Sequence, residues 1–244
     1  MQDAGSDDGT LDWLLADRRV RAIVEKDDGM YDAVNRGLRR SSGEILAYLN
    51  CDEQYLPGAL TAVAAHFDRH PEVDVLFGDV VMVDANGEYV FHRKMQAPLK
   101  YHTWICHLST LSCAMFFRRG IVSERGLLFD GRWRDAGDAE WMLRLMRSGV
   151  RMHTLGRFTS TFTVTGNNMS IQANARRENR ELRQTAPGLA RALRPCVILH
   201  HRLRRLLGGM YWQAPFTYEI FSQASPGRRT TFQAARPRSR FRPS

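Results

Sequence analysis

Residues 43–60, GEILAYLNCDEQYLPGAL, contain an apolar run that ends abruptly in a polar turn carrying two acids. The run at residues 45–49 is typical of a strand that is buried on both faces. Ligands of open α/β sheets bind outside the carboxyl ends of strands, so Asp52 and Glu53 lie where a metal ion or a sugar would be held. The alternative is that both acids belong to a solvated strand-to-helix turn ahead of Pro57.

The spacing of apolar residues on either side of this stretch predicts alternating helices and strands. Helical spacing occurs at residues 11–15, 30–38, 57–70 and 138–148, and strand-like runs at residues 21–25, 73–78, 80–84, 89–93 and 112–118. Between two of the strands, Asn86-Gly87 is a strong hairpin signal. This alternation predicts a parallel sheet in a layered α/β domain, and 244 residues suit one such domain with an extension.

The positive charge is concentrated at the C-terminal end. Residues 191–244 contain eleven arginines, no lysine and one acid, which gives a net charge of +10 against +9 for the whole chain. The first 190 residues are therefore close to neutral, and only the tail is expected to meet a polyanion. The helical pattern at residues 191–207 suits an anionic membrane surface, or a helix that packs on the main domain with its arginines toward water.

The cysteines and the apolar runs indicate a cytoplasmic protein. The four cysteines show no Cys-x-x-Cys spacing and complete no zinc pattern, so we expect reduced thiols. No signal-peptide pattern occurs, and no apolar run approaches the roughly 18 to 20 residues that span a bilayer. Residues 225–244, rich in Arg, Pro, Ser and Gln, are predicted to be disordered.

Three acidic clusters lie at predicted element boundaries, whereas several common catalytic motifs are absent. The clusters comprise residues 3–8, the Asp52-Glu53 pair and residues 135–140. No GxGxxG, GxxxxGK[ST], HExxH or GxSxG motif occurs, so the usual dinucleotide, P-loop, zincin and serine-hydrolase interpretations have no support.

Taken in order, the blocks that hold these acids resemble the successive motifs of family 2 inverting glycosyltransferases with a GT-A fold. The blocks are DAGSDDGT at 3–10, DDGMYDAVNRGLRRSSGEILAYLNCDEQYLPGAL at 27–60 and WRDAGDAEWMLRLMRSGVRMHTL at 133–155. The resemblance implies a GT-A-like, layered α/β/α domain over residues 1–170 with a mixed, mostly parallel sheet. A helical, basic and aromatic extension at residues 171–224 and the disordered tail would follow.

The resemblance assigns the nucleotide-sugar site to residues of the first two blocks. Asp3 would contact the base or the ribose, and Asp28, Gly29 and Arg36 would line the nucleotide pocket. A carboxylate suits this task because it accepts hydrogen bonds from base N–H groups and ribose hydroxyls. The alternatives are that Asp3 is a turn residue and that Arg36 is a solvated helix charge.

The turn Asn50-Cys51-Asp52 falls where the family carries its DxD-type metal motif. Asp52 would ligate Mg²⁺ or Mn²⁺, while Asn50 and Cys51 are assigned to the nucleotide-sugar site. A divalent cation there neutralises charge on the leaving nucleoside diphosphate. The sequence departs from the family pattern, since Asn50 replaces the first Asp and Glu53 follows where a further Asp is common.

Asp138 matches the acid that begins a helix opposite the sugar and acts as the general base. Inversion needs one in-line displacement, so a carboxylate must take the proton of the acceptor hydroxyl on the face away from the diphosphate. Either Asp135 or Glu140 could act instead, with Asp138 capping the helix.

The family places a strand, a nucleotide-binding turn and a helix before the first of these blocks, and this sequence begins without them. A truncated product or a misplaced start is therefore expected. The predicted activity is inverting transfer of a sugar from a nucleotide-diphosphate sugar to a glycan or lipid-linked hydroxyl acceptor. Bacterial surface-polysaccharide or glycolipid biosynthesis is the expected setting, at the inner face of the plasma membrane. The alternative is an inactive remnant that binds membranes or partners, and nucleic acid is not expected as a ligand.

Overall fold

The computed structural model describes residues 1–165 and 173–240. Its strands are β1 (Gln2–Asp3), β2 (Ile23–Val24), β3 (Ile45–Leu46), β4 (Glu53–Tyr55), β5 (Val75–Val83), β6 (Tyr89–Arg93), β7 (Met115–Arg118), β8 (Met152–Thr163), β9 (Phe216–Ser222) and β10 (Ser225–Ala234). Its helices are α1 (Thr10–Leu14), α2 (Met30–Arg40), α3 (Ala59–Arg69), α4 (Lys100–Ile105), α5 (Gly120–Ser123), α6 (Gly137–Arg147), α7 (Ala173–Gln184), α8 (Gly188–Ala192) and α9 (Arg194–Leu207).

The central sheet is mixed and has the strand order β3-β7-β5-β8-β4, with β6 paired to the remaining length of β5. Only β5 and β8 run parallel among the pairs described in this sheet, so the prediction of a mostly parallel sheet is wrong. The Asn86-Gly87 hairpin forces β6 to run against β5, whereas a parallel neighbour needs a long crossover. The parallel strands β1 and β2 form a separate pair.

Alternate residues of β5 and β7 point into two different cores. Phe77 and Phe117 join the core beneath α2 and α6, where Trp141 is fully buried. Leu76 and Phe116 point the other way and pack against α3. This period of two places one apolar core on each face of the sheet, so the predicted layered α/β/α arrangement is confirmed.

Strand β3 is shorter than the strand predicted at residues 45–49. Only Ile45 and Leu46 pair with β7, and Leu49 is exposed. The prediction of a strand at 45–49 buried on both faces is therefore wrong beyond residue 46. Because the chain leaves the sheet early, Tyr48 and the residues that follow it belong to the loop that carries the acids.

The C-terminal region differs from the predicted helical extension and disordered tail. The described helices of the extension end at Leu207, and β9 and β10 form an antiparallel hairpin. Alternate residues of β9, Tyr218 and Ile220, are buried against Val81 and Val83 of the central sheet. Because β10 pairs with this anchored strand, residues 225–234 are ordered as a strand despite their arginine-rich composition. The boundary predicted at residue 170 lies outside the described residues.

The hairpin is also fastened to β4, directly after the acid turn. The Gln54 side-chain amide both donates to the Phe221 carbonyl and accepts from the Phe221 N–H, each at 2.9 Å. Arg229 donates to the Tyr55 carbonyl at 3.0 Å. Within the described ranges, no helix combines the length and the apolar character needed to cross a bilayer.

Candidate active site

Asp138 lies in the first turn of α6, and Tyr31 of α2 fixes that turn. The Asp138 N–H donates to the Tyr31 hydroxyl at 3.1 Å, and the Tyr31 ring stacks on Phe129. A Cβ added to Gly137 would lie 2.5 Å from the Tyr31 ring, so glycine permits this close approach. Burial raises the pKa of Asp138 to about 6, which poises its carboxylate to accept a proton near neutral pH.

The two competing acids of this cluster are engaged elsewhere. Glu140 forms an ion pair with Arg144 at 2.8 Å, one helical turn along α6. The Asp135 carboxylate accepts a hydrogen bond from the Asn174 side-chain amide at 2.7 Å. Asp138 is therefore the best placed of the three acids to act as a base.

Glu178 of α7 organises the approach to α6, and sequence reasoning missed it. Its buried carboxylate accepts hydrogen bonds from the backbone N–H groups of Arg134, Asp135 and Ala136 at 2.8 to 2.9 Å. Burial acts to raise the pKa of Glu178, but these donors and Asn174 outweigh it and the pKa is lowered. A single carboxylate from about 40 residues downstream thus fixes the loop that leads to Asp138.

Replacing Glu178 with Ala is expected to lower the free energy of unfolding by about 2 to 4 kcal/mol, because three buried N–H groups lose a charged acceptor. Urea unfolding monitored by circular dichroism measures this loss. Glu181→Ala, an exposed acid on the same helix, is the matched control and should cost no more than about 0.5 kcal/mol. Equal effects of the two substitutions would contradict the role given to Glu178.

The acid turn carries one exposed and one buried carboxyl group. Asp52 is exposed, and its backbone carbonyl accepts from the Thr163 hydroxyl at 2.6 Å. Glu53 is buried, with one carboxyl oxygen accepting from the Asn50 N–H at 2.8 Å and the other making no hydrogen bond. Burial raises the pKa of Glu53 to about 7. Asn50 and Glu53 therefore shape the turn, while the Asp52 side chain is free to reach a ligand.

Tyr48 lies between the acid turn and the candidate base. Its ring packs edge-on against Phe129, which also stacks on Tyr31. Burial raises the pKa of Tyr48, and the charges of Asp138 and Glu53 raise it further. Tyr48 thus packs on the same Phe129 ring that supports Tyr31, which contacts Asp138. Sequence reasoning had placed Tyr48 inside the sheet.

Asp3 is held within its own turn. One carboxylate oxygen accepts from the Gly5 and Ser6 N–H groups at 2.8 Å, and the other accepts from the Ser6 hydroxyl at 2.8 Å. These bonds, those from Ser6 first, lower the pKa of Asp3. The geometry matches the turn role that the sequence left open, and a nucleotide contact by Asp3 stays a prediction.

The other residues assigned to the nucleotide lie just before α2 and within it. Arg36 forms ion pairs with Asp32 at 2.7 Å and with Glu25 at 3.2 Å. Asp28 is exposed, and its N–H donates to Asp32 at 3.0 Å. Arg36 thus has a structural role whether or not a nucleotide is bound.

Gly29 brings this loop against the loop before α6. Its φ is +107°, a conformation that L side chains rarely adopt, and an added Cβ would lie 2.5 Å from the Arg134 guanidinium. Arg134 donates its N–H to Glu178, so the Gly29 loop and the loop leading to Asp138 meet at one residue. The exposed Cys51 completes the predicted set.

The donor atoms of the acid turn fit a hard divalent cation that the ligand helps to bind. Among the described residues, no group of three or more His, Cys, Asp or Glu side chains is arranged to hold a metal ion. Mg²⁺ typically takes one or two carboxylates and completes its octahedron with phosphate oxygens and water. An exposed Asp52 beside Asn50 suits such a site, where the diphosphate supplies the remaining ligands.

Comparison with known proteins identifies relatives of this chain. The family model described as Glycosyl transferase family 2 matches residues 2–126. Glycosyltransferases named for PGL/p-HBAD biosynthesis in Mycobacterium bovis and Mycobacterium tuberculosis are 32% identical over 152 residues, covering 58% of this chain and 55% of each relative. The chain therefore spans about half the length of the curated relatives it matches.

Solved structures share the fold at lower sequence identity. The crystal structure of Staphylococcus aureus TarS residues 1–349 in complex with UDP-GlcNAc matches with a TM-score of 0.57 and 20% identity, covering 74% of this chain and 54% of TarS. A second TarS structure matches with a TM-score of 0.56 and 17% identity, covering 96% of this chain and 54% of that one. These likenesses support the GT-A-like fold.

Proposed function

Because the chain belongs to glycosyl transferase family 2, we propose that it transfers a sugar from a nucleotide-diphosphate donor to a hydroxyl acceptor with inversion. The observation that carries the proposal is the placement of Asp138. Its carboxylate begins a helix, its pKa is raised to about 6, and both neighbouring acids have other partners. A scaffold has no use for a partly buried acid whose pKa is raised in this position, which favours the enzyme over an inactive remnant.

In the proposed reaction, ionised Asp138 takes the proton of the acceptor hydroxyl. The acceptor oxygen then attacks the anomeric carbon as the bond from that carbon to the diphosphate oxygen breaks, and one in-line step inverts the configuration. Tyr31 and Glu178 hold the start of α6 in place during this step. Asp28 and Gly29 would receive the nucleotide, with Arg36 and Asp3 as further candidates.

Asp52 is proposed to hold Mg²⁺ or Mn²⁺ on the leaving side of the site. When bound, such a cation supplies charge neutralisation to the departing diphosphate. Asn50 and Cys51, which precede Asp52 in the turn, would face the sugar nucleotide.

The names of the relatives support the setting of the reaction. The mycobacterial relatives are named for PGL/p-HBAD biosynthesis, and the TarS structure contains UDP-GlcNAc. We propose that this protein acts in bacterial cell-surface polysaccharide or glycolipid biosynthesis, in the cytoplasm, with a lipid-linked or glycan acceptor.

A donor screen tests the proposed function. We expect the protein to release nucleoside diphosphate from one class of nucleotide sugar with Mn²⁺ present, and to release it faster when a membrane extract supplies acceptors. Product anomers resolved by NMR should show inversion. Retention of configuration would contradict the single-displacement step. Failure of every nucleotide sugar to bind or turn over, under conditions where the folded protein is intact, would contradict the enzyme assignment.

A further inference from the structure

Helix α9 turns polar side chains inward and apolar side chains outward, the reverse of a helix that covers a core. Its inward-facing His201 and Arg205 are only 2% and 8% exposed. Its outward-facing Leu199, Leu203 and Leu207 are 59%, 47% and 86% exposed. Of the two alternatives that the sequence left open, packing on the main domain is observed and Arg194 and Arg202 do face water, but an apolar stripe lies in the solvent beside them.

Specific contacts hold α9 in this orientation. The ring of His201 stacks on His102 of α4 with centroids 3.6 Å apart. The Arg204 carbonyl accepts from the Gln96 side chain at 2.9 Å, and the Arg204 guanidinium donates to the Ala97 carbonyl at 3.4 Å. Turning the leucines inward would break all of these contacts. These contacts therefore fix the apolar face of α9 toward the solvent.

Exposed arginines surround the outward face. Arg194 and Arg202 line an open groove together with Pro195, Ile198 and Leu199. Arg191 of α8 is also exposed, as is Leu206 on the same face of α9. The sequence contains no acid between residues 181 and 219, so no carboxylate of this stretch can neutralise these cations.

The positive charge of this face distinguishes between two binding partners, a second copy of the chain and an anionic membrane. A second copy of the chain would place the same patch against itself in a two-fold interface, so two patches of like, positive charge would meet. An anionic bilayer instead offers phosphates to the arginines and acyl chains to the leucines. We infer that the outward face of α9, with Arg191 of α8, docks on an anionic membrane surface, with the helix lying in the plane of the headgroups.

Vesicle flotation with the full chain tests this inference independently of any sugar transfer. The expected result is binding to vesicles in which about a third of the lipid is phosphatidylglycerol, weak binding to pure phosphatidylcholine, and loss of binding at high salt. Arg191→Gln/Arg194→Gln/Arg202→Gln should weaken binding on the order of a hundredfold, at about 1 kcal/mol per arginine. Leu199→Gln/Leu203→Gln/Leu206→Gln should weaken it at least as much.

Matched controls separate this face from general charge and hydrophobicity. Arg18→Gln/Arg39→Gln/Arg151→Gln makes the same charge change at exposed sites elsewhere, and Leu15→Gln/Leu60→Gln removes exposed leucines elsewhere. Both controls should bind vesicles as the wild type does, and circular dichroism should show that all variants are folded. Equal losses in the controls, or equal binding to neutral vesicles, would overturn the inference. So would a dimer in analytical ultracentrifugation that the leucine variant dissociates.

Discussion

Replacing Asp138 with Asn is expected to lower the rate of sugar transfer by roughly 10²- to 10⁴-fold, the usual contribution of a positioned general base. The substitution keeps the side-chain shape and the acceptor for the Ala139 N–H but removes the group that takes the proton. In the wild-type protein the rate should rise with pH through about 6, because the base acts only when it is ionised. Stopped assays of nucleoside diphosphate release across pH 5 to 8 measure both effects.

The same substitution is expected to stabilise the folded protein at pH 8. Folding raises the pKa of Asp138 from about 3.8 to about 6, so the ionised carboxyl costs the native state roughly 3 kcal/mol above pH 6. Asn carries no such cost. The increase in the free energy of unfolding should be complete above pH 6 and should shrink as the pH falls from 6 to 4. Below that range it should vanish, because the wild-type carboxyl is protonated in both the folded and the unfolded state. Urea unfolding at pH 4 and pH 8 measures it.

Substitutions of the neighbouring acids serve as controls for both measurements. Glu140→Gln removes an acid that is already paired with Arg144, and should leave the pH profile in place. If Asp135→Asn or Glu140→Gln abolished transfer while Asp138→Asn retained it, the assignment of the base would be wrong.

Replacing Asp52 with Ala is expected to lower turnover of the donor by on the order of a hundredfold or more, and to remove the response to Mn²⁺. The Asp52 side chain is exposed, and the hydrogen bond from Thr163 reaches its backbone carbonyl, so the fold should be unaffected. Donor turnover titrated with Mn²⁺, with thermal unfolding measured alongside, separates metal loss from misfolding.

Asp68→Ala, which removes an exposed acid from α3, is the matched control and should leave Mn²⁺ activation unchanged. Undiminished turnover by Asp52→Ala, with the same Mn²⁺ dependence as the wild type, would refute the metal role.

Local periodicity predicted the layered fold well, because each element carries its own burial pattern. Phe116 and Phe117 alternate between the two cores as period-two residues must, and the Asn86-Gly87 signal produced a hairpin. The length of β3 could not be read in the same way. An apolar run indicates which residues are shielded from water, but not which neighbours shield them. Tyr48 packs on Phe129 beside the site and does not join the sheet.

Sequence reasoning proposed the candidate site residues by type and by resemblance, but it did not propose the contacts that support them. Asp52 stands out because it follows an apolar run, and Asp138 because it matches an acid of the family motif, whereas Glu178 looks like any acid on a polar helix. Its role arises only when α7 packs against the loop before α6, a contact over 42 residues for Ala136. The tail prediction failed because composition does not reveal that residues 225–234 pair with β9, which the buried Tyr218 and Ile220 anchor to the sheet.

The fastening of the C-terminal hairpin to β4 bears on how the protein is assembled during synthesis. Gln54 and Phe221 are 167 positions apart, so their paired hydrogen bonds close a long loop and need both ends of it to be present. In a nascent chain that has emerged only as far as α9, β4 lacks its hydrogen bonds to the C-terminal hairpin. The hydrogen bonds that support β4, the strand that follows Asp52, therefore require β9 and β10 to have been synthesised.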